Sequence, residues 1–144
     1  MNDKELYKGF SPEKQAEHEQ YMVDRFGPAM RVQMEKGKKR FAAMSDEARR
    51  AVFEEGGAAE AELVERFRSG LTPDDVALEP SLERQRNWLE RVWDRPCEPL
   101  SYAGLADLYA SHDGFRERYE RHGVGFTDWL VQAMKTSAGR MPAA

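Results

Sequence analysis

Helix start and stop signals punctuate this chain at short, unequal intervals, and strand signals are nearly absent. Ser11-Pro12-Glu13 offers an N-cap, a proline at the first helical position and an early acidic residue. A helix is predicted from there to Phe26, stopping at Gly27. Pro28 opens a second, with Met30, Met34, Phe41 and Met44 to one side. Ser45-Asp46-Glu47 caps a third, whose inner face carries Ala48, Val52, Ala59, Leu63 and Phe67 and which Ser69-Gly70 ends. Gly56-Gly57 lies in its middle, and two adjacent glycines predict a bend or break. After the linker at 71–75 a fourth helix is expected to start between Asp74 and Ser81 and to reach Trp93 or Asp94. Pro80 blurs that start, because it lacks the N–H a helix interior needs. The connector Arg95-Pro96-Cys97-Glu98-Pro99 cannot be regular helix. Three short helices follow, at 100–111, 113–121 and 126–138, with Gly123-Val124-Gly125 between the last two. The predicted fold is all-α: about seven short helices in a globin-like arrangement, without a sheet. One domain is expected to span residues 1–144, with tails at 1–10 and 140–144.

The aromatic residues are unevenly spread. All three tryptophans and the only cysteine lie between residues 82 and 134, together with Tyr102, Tyr109, Phe115, Tyr119 and Phe126. Short helices with that much aromatic surface can build a tight core or wall a cleft for a large apolar ligand. Charge narrows the choice of partner. The chain has 22 basic and 26 acidic residues, a net charge of −4, with no separated basic block. That balance argues against nucleic-acid binding, which rests largely on a positive face. No run approaches 18 consecutive apolar residues, and MNDKELYKGF lacks a signal-peptide hydrophobic stretch. A cytoplasmic chain that does not enter a membrane is expected.

Motifs for chemistry are few. His18, His112 and His122 have no metal-ligand spacing, no phosphate-cradling glycine motif is present, and the carboxylates are scattered over helix faces. No nucleophile can be paired with a base, so the chain is read as non-enzymatic, without metal or cofactor. Two residues stand apart. Cys97 lies between two prolines, with Arg95 before it and a helix N-terminus shortly after. Guanidinium and helix-end N–H groups both favour thiolate, while an inert thiol filling a corner is the alternative. Gln85 falls in the middle of the apolar stripe Leu78, Leu82, Leu89 and Val92. Its amide either satisfies a polar group in a packed core or faces a ligand. Met22, Met30, Met34 and Met44 give the N-terminal half a pliable apolar side, unless they simply fill gaps.

The run LADLYASHDGFRERYE with the helix FTDWLVQAM resembles the C-terminal part of the TipA-type antibiotic-recognition domain. GFSPEKQAEHEQYMVDRFG is similar to that domain's first helix, and QRNWLERVWDRPC to its central helix and connector. The resemblance implies a globin-like helical domain that binds bulky, apolar, peptide-derived antibiotics, thiopeptide-like or albicidin-like. Such domains sense the drug for MerR-type transcription activators or sequester it. In the family's namesake a cysteine in this connector adds to dehydroalanine groups, and counting back eight positions from Leu105 places it on Cys97. Relatives often carry histidine where this chain has Gln85 and Tyr102, so each imidazole is replaced by a group that still hydrogen-bonds but does not titrate near neutrality. The resemblance implies ligand contact from Gln85, Trp88, Leu89, Trp93, Cys97, Tyr102, Leu105, Tyr109, Phe126, Trp129 and Leu130. It implies either a stand-alone binder or the effector domain of a longer gene product with a DNA-binding domain N-terminal to this one. A protein-interaction or dimerisation module, with an aromatic groove receiving a helix, is the alternative.

Overall fold

The computed structural model describes residues 12–142, apart from a few side chains of the first helix; the Ser11 cap and the His18 side chain lie outside the described residues. Seven α-helices and one 3-10 turn make up the described residues, and no strand occurs among them. They are α1 (Pro12–Phe26), α2 (Ala29–Ala43), α3 (Asp46–Arg68), the turn Val76–Leu78, α4 (Glu79–Trp93), α5 (Pro99–Ser111), α6 (Asp113–Glu120) and α7 (Phe126–Arg140). The fold is all-α, as the helix punctuation predicts. The chain divides into two compact units, at Ala51 and Val52.

In the first unit α1 and α2 form a hairpin. Gly27, at φ +96°, turns the chain out of α1 in a backbone conformation that side chains rarely adopt, and Pro28 then leads into α2. Lys38 on α2 reaches Glu19 on α1 at 2.5 Å, and Arg31 donates to the Gln20 side chain at 3.2 Å. Phe41 is the buried residue of α2, while Met30, Met34 and Met44 are half-buried. Ser45 caps α3, its hydroxyl oxygen accepting from the Ala48 N–H at 3.1 Å.

Helix α3 runs unbroken through Gly56 and Gly57, which corrects the expected break. The two glycines differ. A Cβ at Gly56 would stand 2.7 Å from the ring of Trp88, whereas nothing lies within 4 Å of one at Gly57. Gly56 is therefore glycine because a tryptophan 32 positions later occupies its side-chain space. Gly57→Ala should stabilise the second unit by about 0.5–1 kcal/mol, the gain of replacing glycine in a helix interior. Gly56→Ala should destabilise it despite the same propensity gain. Urea unfolding checks both, and two shifts of the same sign would contradict this account.

The second unit holds the core. Leu63 and Val64 of α3, Leu78, Leu82 and Leu89 around α4, Tyr102, Ala106 and Tyr109 of α5, Tyr119 of α6, and Phe126, Trp129, Leu130, Ala133, Met134 and Ala138 of α7 form one buried cluster. α5 and α7 are the most extensively paired helices. The 3-10 turn starts at Asp75, whose carboxylate accepts from the Ala77 N–H at 2.9 Å, and Pro80 sits in the first turn of α4, where its missing N–H costs nothing. α4 ends at Asp94 in the left-handed conformation, φ 56°. α7 is started by Glu120, whose carboxylate accepts from the Gly125 N–H and Thr127 N–H, both at 2.9 Å, and from the Thr127 hydroxyl at 2.6 Å. The Thr127 and Gly125 hydrogen bonds hold the Glu120 carboxyl below its usual range. At the other end Arg140 belongs to α7, and its guanidinium is bound to Glu79 at 2.8 Å.

Candidate ligand-binding site

Three helices bring the predicted site residues to one core. α4 contributes Gln85 and Leu89, α5 Tyr102 and Tyr109, and α7 Phe126, Trp129 and Leu130; Cys97 lies in the connector before α5. Trp88, Trp93 and Leu105 are half-buried and pack against the same cluster.

Around Gln85 the core is polar. Tyr102, fully buried, donates its hydroxyl proton to Gln85 Oε1 at 2.5 Å. Gln85 Nε2 has a thioether partner, Met134 Sδ, at 3.9 Å. The Arg86 guanidinium lies over the Tyr102 ring, 5.1 Å from its centroid. Arg86 Nη1 donates to Ser137 Oγ at 2.6 Å, and Ser137 passes the chain on to Glu79 Oε2 at 2.7 Å. Burial by itself raises the Glu79 carboxyl, but hydrogen bonds from Ser137 and Arg140 outweigh it and hold the group below its usual range. Burial pushes the Tyr102 hydroxyl well above the usual phenol value, so it stays a neutral donor. Gln85 and Tyr102 thus form a buried pair, with the Arg86 guanidinium over the phenol ring.

Cys97 adjoins that pair. Its backbone N–H donates to Glu90 Oε2 at 2.8 Å. Burial pushes the thiol up to about 11; Arg86 and Arg95 pull the other way, and Glu90 adds to the rise. The expected guanidinium effect is present, and desolvation exceeds it. Cys97 is a protonated thiol at neutral pH in this conformation.

The remaining aromatics form a second group. Phe67 packs edge-on against Phe126 at 5.3 Å and Trp129 at 5.4 Å, and Phe126 stacks on Trp129 at 5.8 Å. The Trp129 indole donates to the Leu71 carbonyl at 2.8 Å. Tyr109 packs against both Phe115 and Tyr119, at 5.0 and 4.9 Å, and those two stack on each other at 6.3 Å. Tyr109, Tyr119, Phe126 and Trp129 are buried, while Phe67 and Phe115 are half-buried at the edge of the cluster. A surface pocket of about 320 Å³ lined by Ala61, Val64, Glu65, Arg68 and His122 lies elsewhere and includes none of the predicted site residues.

Arg86, Ser137 and Glu79 were missed by sequence reasoning. The available signal was that Arg86 lies four residues after Leu82, at the edge of the apolar stripe. No group of three His, Cys, Asp or Glu residues able to hold a metal ion occurs among the described residues. His112 instead caps α6, its Nδ1 accepting from the Gly114 N–H at 3.2 Å, and His122 contacts Glu60 at 3.1 Å.

The fold is an all-helical domain with a buried amide–phenol pair inside an aromatic core. The comparisons make the class specific. The family model of the TipAS antibiotic-recognition domain matches residues 14–137, and the chain belongs to that family. It is similar to the HTH-type transcriptional regulator SkgA of Caulobacter vibrioides, in strains NA1000 / CB15N and ATCC 19089 / CIP 103742 / CB 15. Identity to each is 32% over 138 residues, covering 96% of this chain and 54% of the relative. The chain thus spans about half the length of the curated relatives it matches. No solved structure matches it. No helix of the described residues is long and apolar enough to cross a membrane.

Proposed function

We propose that this chain is a non-enzymatic effector-binding domain for bulky, apolar, peptide-type antibiotics, thiopeptide-like or albicidin-like. The observation that carries the reading is the family match, which spans residues 14–137. Similarity to an HTH-type transcriptional regulator supports a sensing role in the cytoplasm, with the DNA-binding part carried by a longer gene product. In this reading Gln85 and Tyr102 orient the ligand by hydrogen bonds. Leu89, Trp93, Leu105, Tyr109, Phe126, Trp129 and Leu130 supply apolar area, and Cys97 can add to an electrophilic ligand once exposed.

The test is a titration with thiopeptides that carry dehydroalanine and with aromatic peptide antibiotics that do not, read by tryptophan fluorescence and intact mass. Saturable binding is expected. Because Tyr109, Phe126 and Leu130 are buried in one cluster, the proposed contacts require the helices to part first. Association should therefore fall below the roughly 10⁵–10⁷ M⁻¹s⁻¹ usual for preformed surfaces. A panel that leaves fluorescence and mass unchanged would count against antibiotic binding and favour the interaction-module reading.

A further inference from the structure

Helix α4 meets its neighbours with two different faces. Positions 84 and 88, one turn apart, grip α3. Arg84 makes a two-pronged contact, Nε to Glu55 Oε2 and Nη2 to Glu55 Oε1, both at 2.8 Å. Trp88 lies in the notch left by Gly56, and its Nε1–H donates to the Val52 carbonyl at 2.7 Å. Val52, Glu55 and Gly56 fall at i, i+3 and i+4, a single face of α3. Gln85 and Leu89 belong to the other face of α4, which carries the Tyr102 and Met134 contacts.

A helix is stiff about its own axis, so the two faces cannot be set independently. A rotation of about 20° moves a side-chain end about 6 Å from the axis by about 2 Å, enough to break a hydrogen bond. The turn of α4 that unseats Trp88 therefore carries Gln85, three residues earlier, away from the Tyr102 hydroxyl.

We propose that Trp88 is a positioning residue rather than a ligand contact: seated on Gly56, and helped by Arg84 on Glu55, it sets the rotation of α4 that places the Gln85 amide under Tyr102. This rests on the reading of Gln85 and Tyr102 as the ligand-orienting pair, and it gives the Gly56 notch a reason in the site. The seam works in both directions, so a change at Tyr102 is felt at Trp88.

The test uses nuclear magnetic resonance of the isotope-labelled full chain, reading the Trp88 indole N–H and the Gln85 side-chain NH₂ signals. Gly56→Ala should shift both and leave the indole signal of Trp129, bound to Leu71, in place. Tyr102→Phe, which removes only the donor hydroxyl, should shift the Trp88 indole signal. Should Gly56→Ala fail to fold, Glu55→Gln weakens the same seam without added volume, and the Gln85 signals should still move. A Trp88 signal that moves while those of Gln85 stay put would overturn the proposal, since the indole would then yield without turning α4. The readout contains no ligand, so its failure removes the positioning role alone, whereas failure of the antibiotic titration removes the binding reading.

Discussion

Tyr102→Ala is expected to lower the stability of the second unit by about 3–5 kcal/mol, the range for truncating a large buried aromatic. Tyr102 has no exposed surface, and its hydroxyl is the partner of Gln85 Oε1. Truncation leaves a cavity, strips the ring from beneath Arg86, and leaves the amide oxygen unsatisfied in a buried core. An unsatisfied buried group by itself costs about 1–3 kcal/mol. Against a typical domain stability of about 5–15 kcal/mol, that is a large fraction. Tyr102→Phe keeps the ring but leaves the same amide oxygen unsatisfied, and should cost about 1–3 kcal/mol. Urea unfolding followed by circular dichroism measures both. Equal midpoints for wild type and Tyr102→Ala would mean that the ring is not packed as described. For ligand binding Tyr102→Phe is the informative variant, because the alanine variant confounds lost contact with lost fold.

The second large effect concerns the rate at which Cys97 reacts. A thiol at about 11 is ionised at pH 7 in about one molecule in ten thousand. Alkylation by a small electrophile such as iodoacetamide should therefore be slow at pH 7. It should rise about tenfold per pH unit, close to a thousandfold by pH 10, because the thiolate is the attacking form. Intact mass against time at several pH values measures it. A plateau near the ordinary thiol value of 9.0 would show reaction through an opened conformation. A plateau below pH 8 would show an activated thiol and sink this description of the site. The same shift bears on stability, and its sign is fixed. The folded chain holds the thiol above its unfolded value, so the contribution is fully present below pH 9.0 and is lost as the pH rises toward about 11. For a dehydroalanine-bearing thiopeptide, covalent capture has to follow entry of the ligand and uncovering of Cys97.

What the sequence determined by itself was local. Gly27 and Gly70 end helices because their backbones turn through the left-handed region, and Ser45 starts one because its hydroxyl meets a free N–H three residues on. Such events involve neighbours within a turn, so most helix boundaries could be read within one or two residues, whereas the start of α4 was placed only between Asp74 and Ser81. The family was legible for a related reason, since spacing and apolar signature along α4 to α7 survive in the linear string. What only the tertiary structure decided depends on residues far apart in the chain. Gly56 leaves room for Trp88 inside an unbroken α3, and glycine content alone cannot report a partner on another helix. Gln85 could be recognised as an oddity in an apolar stripe, but its partner lies 17 positions away on α5. Arg86 has its partner Ser137 51 positions later, on α7. Cys97 shows the difference most plainly. Its charged neighbours Arg95 and Glu90 stand in the sequence for anyone to weigh. Desolvation, the effect that exceeds them, is a sum over every group packed around the thiol, and only the folded chain assembles that sum.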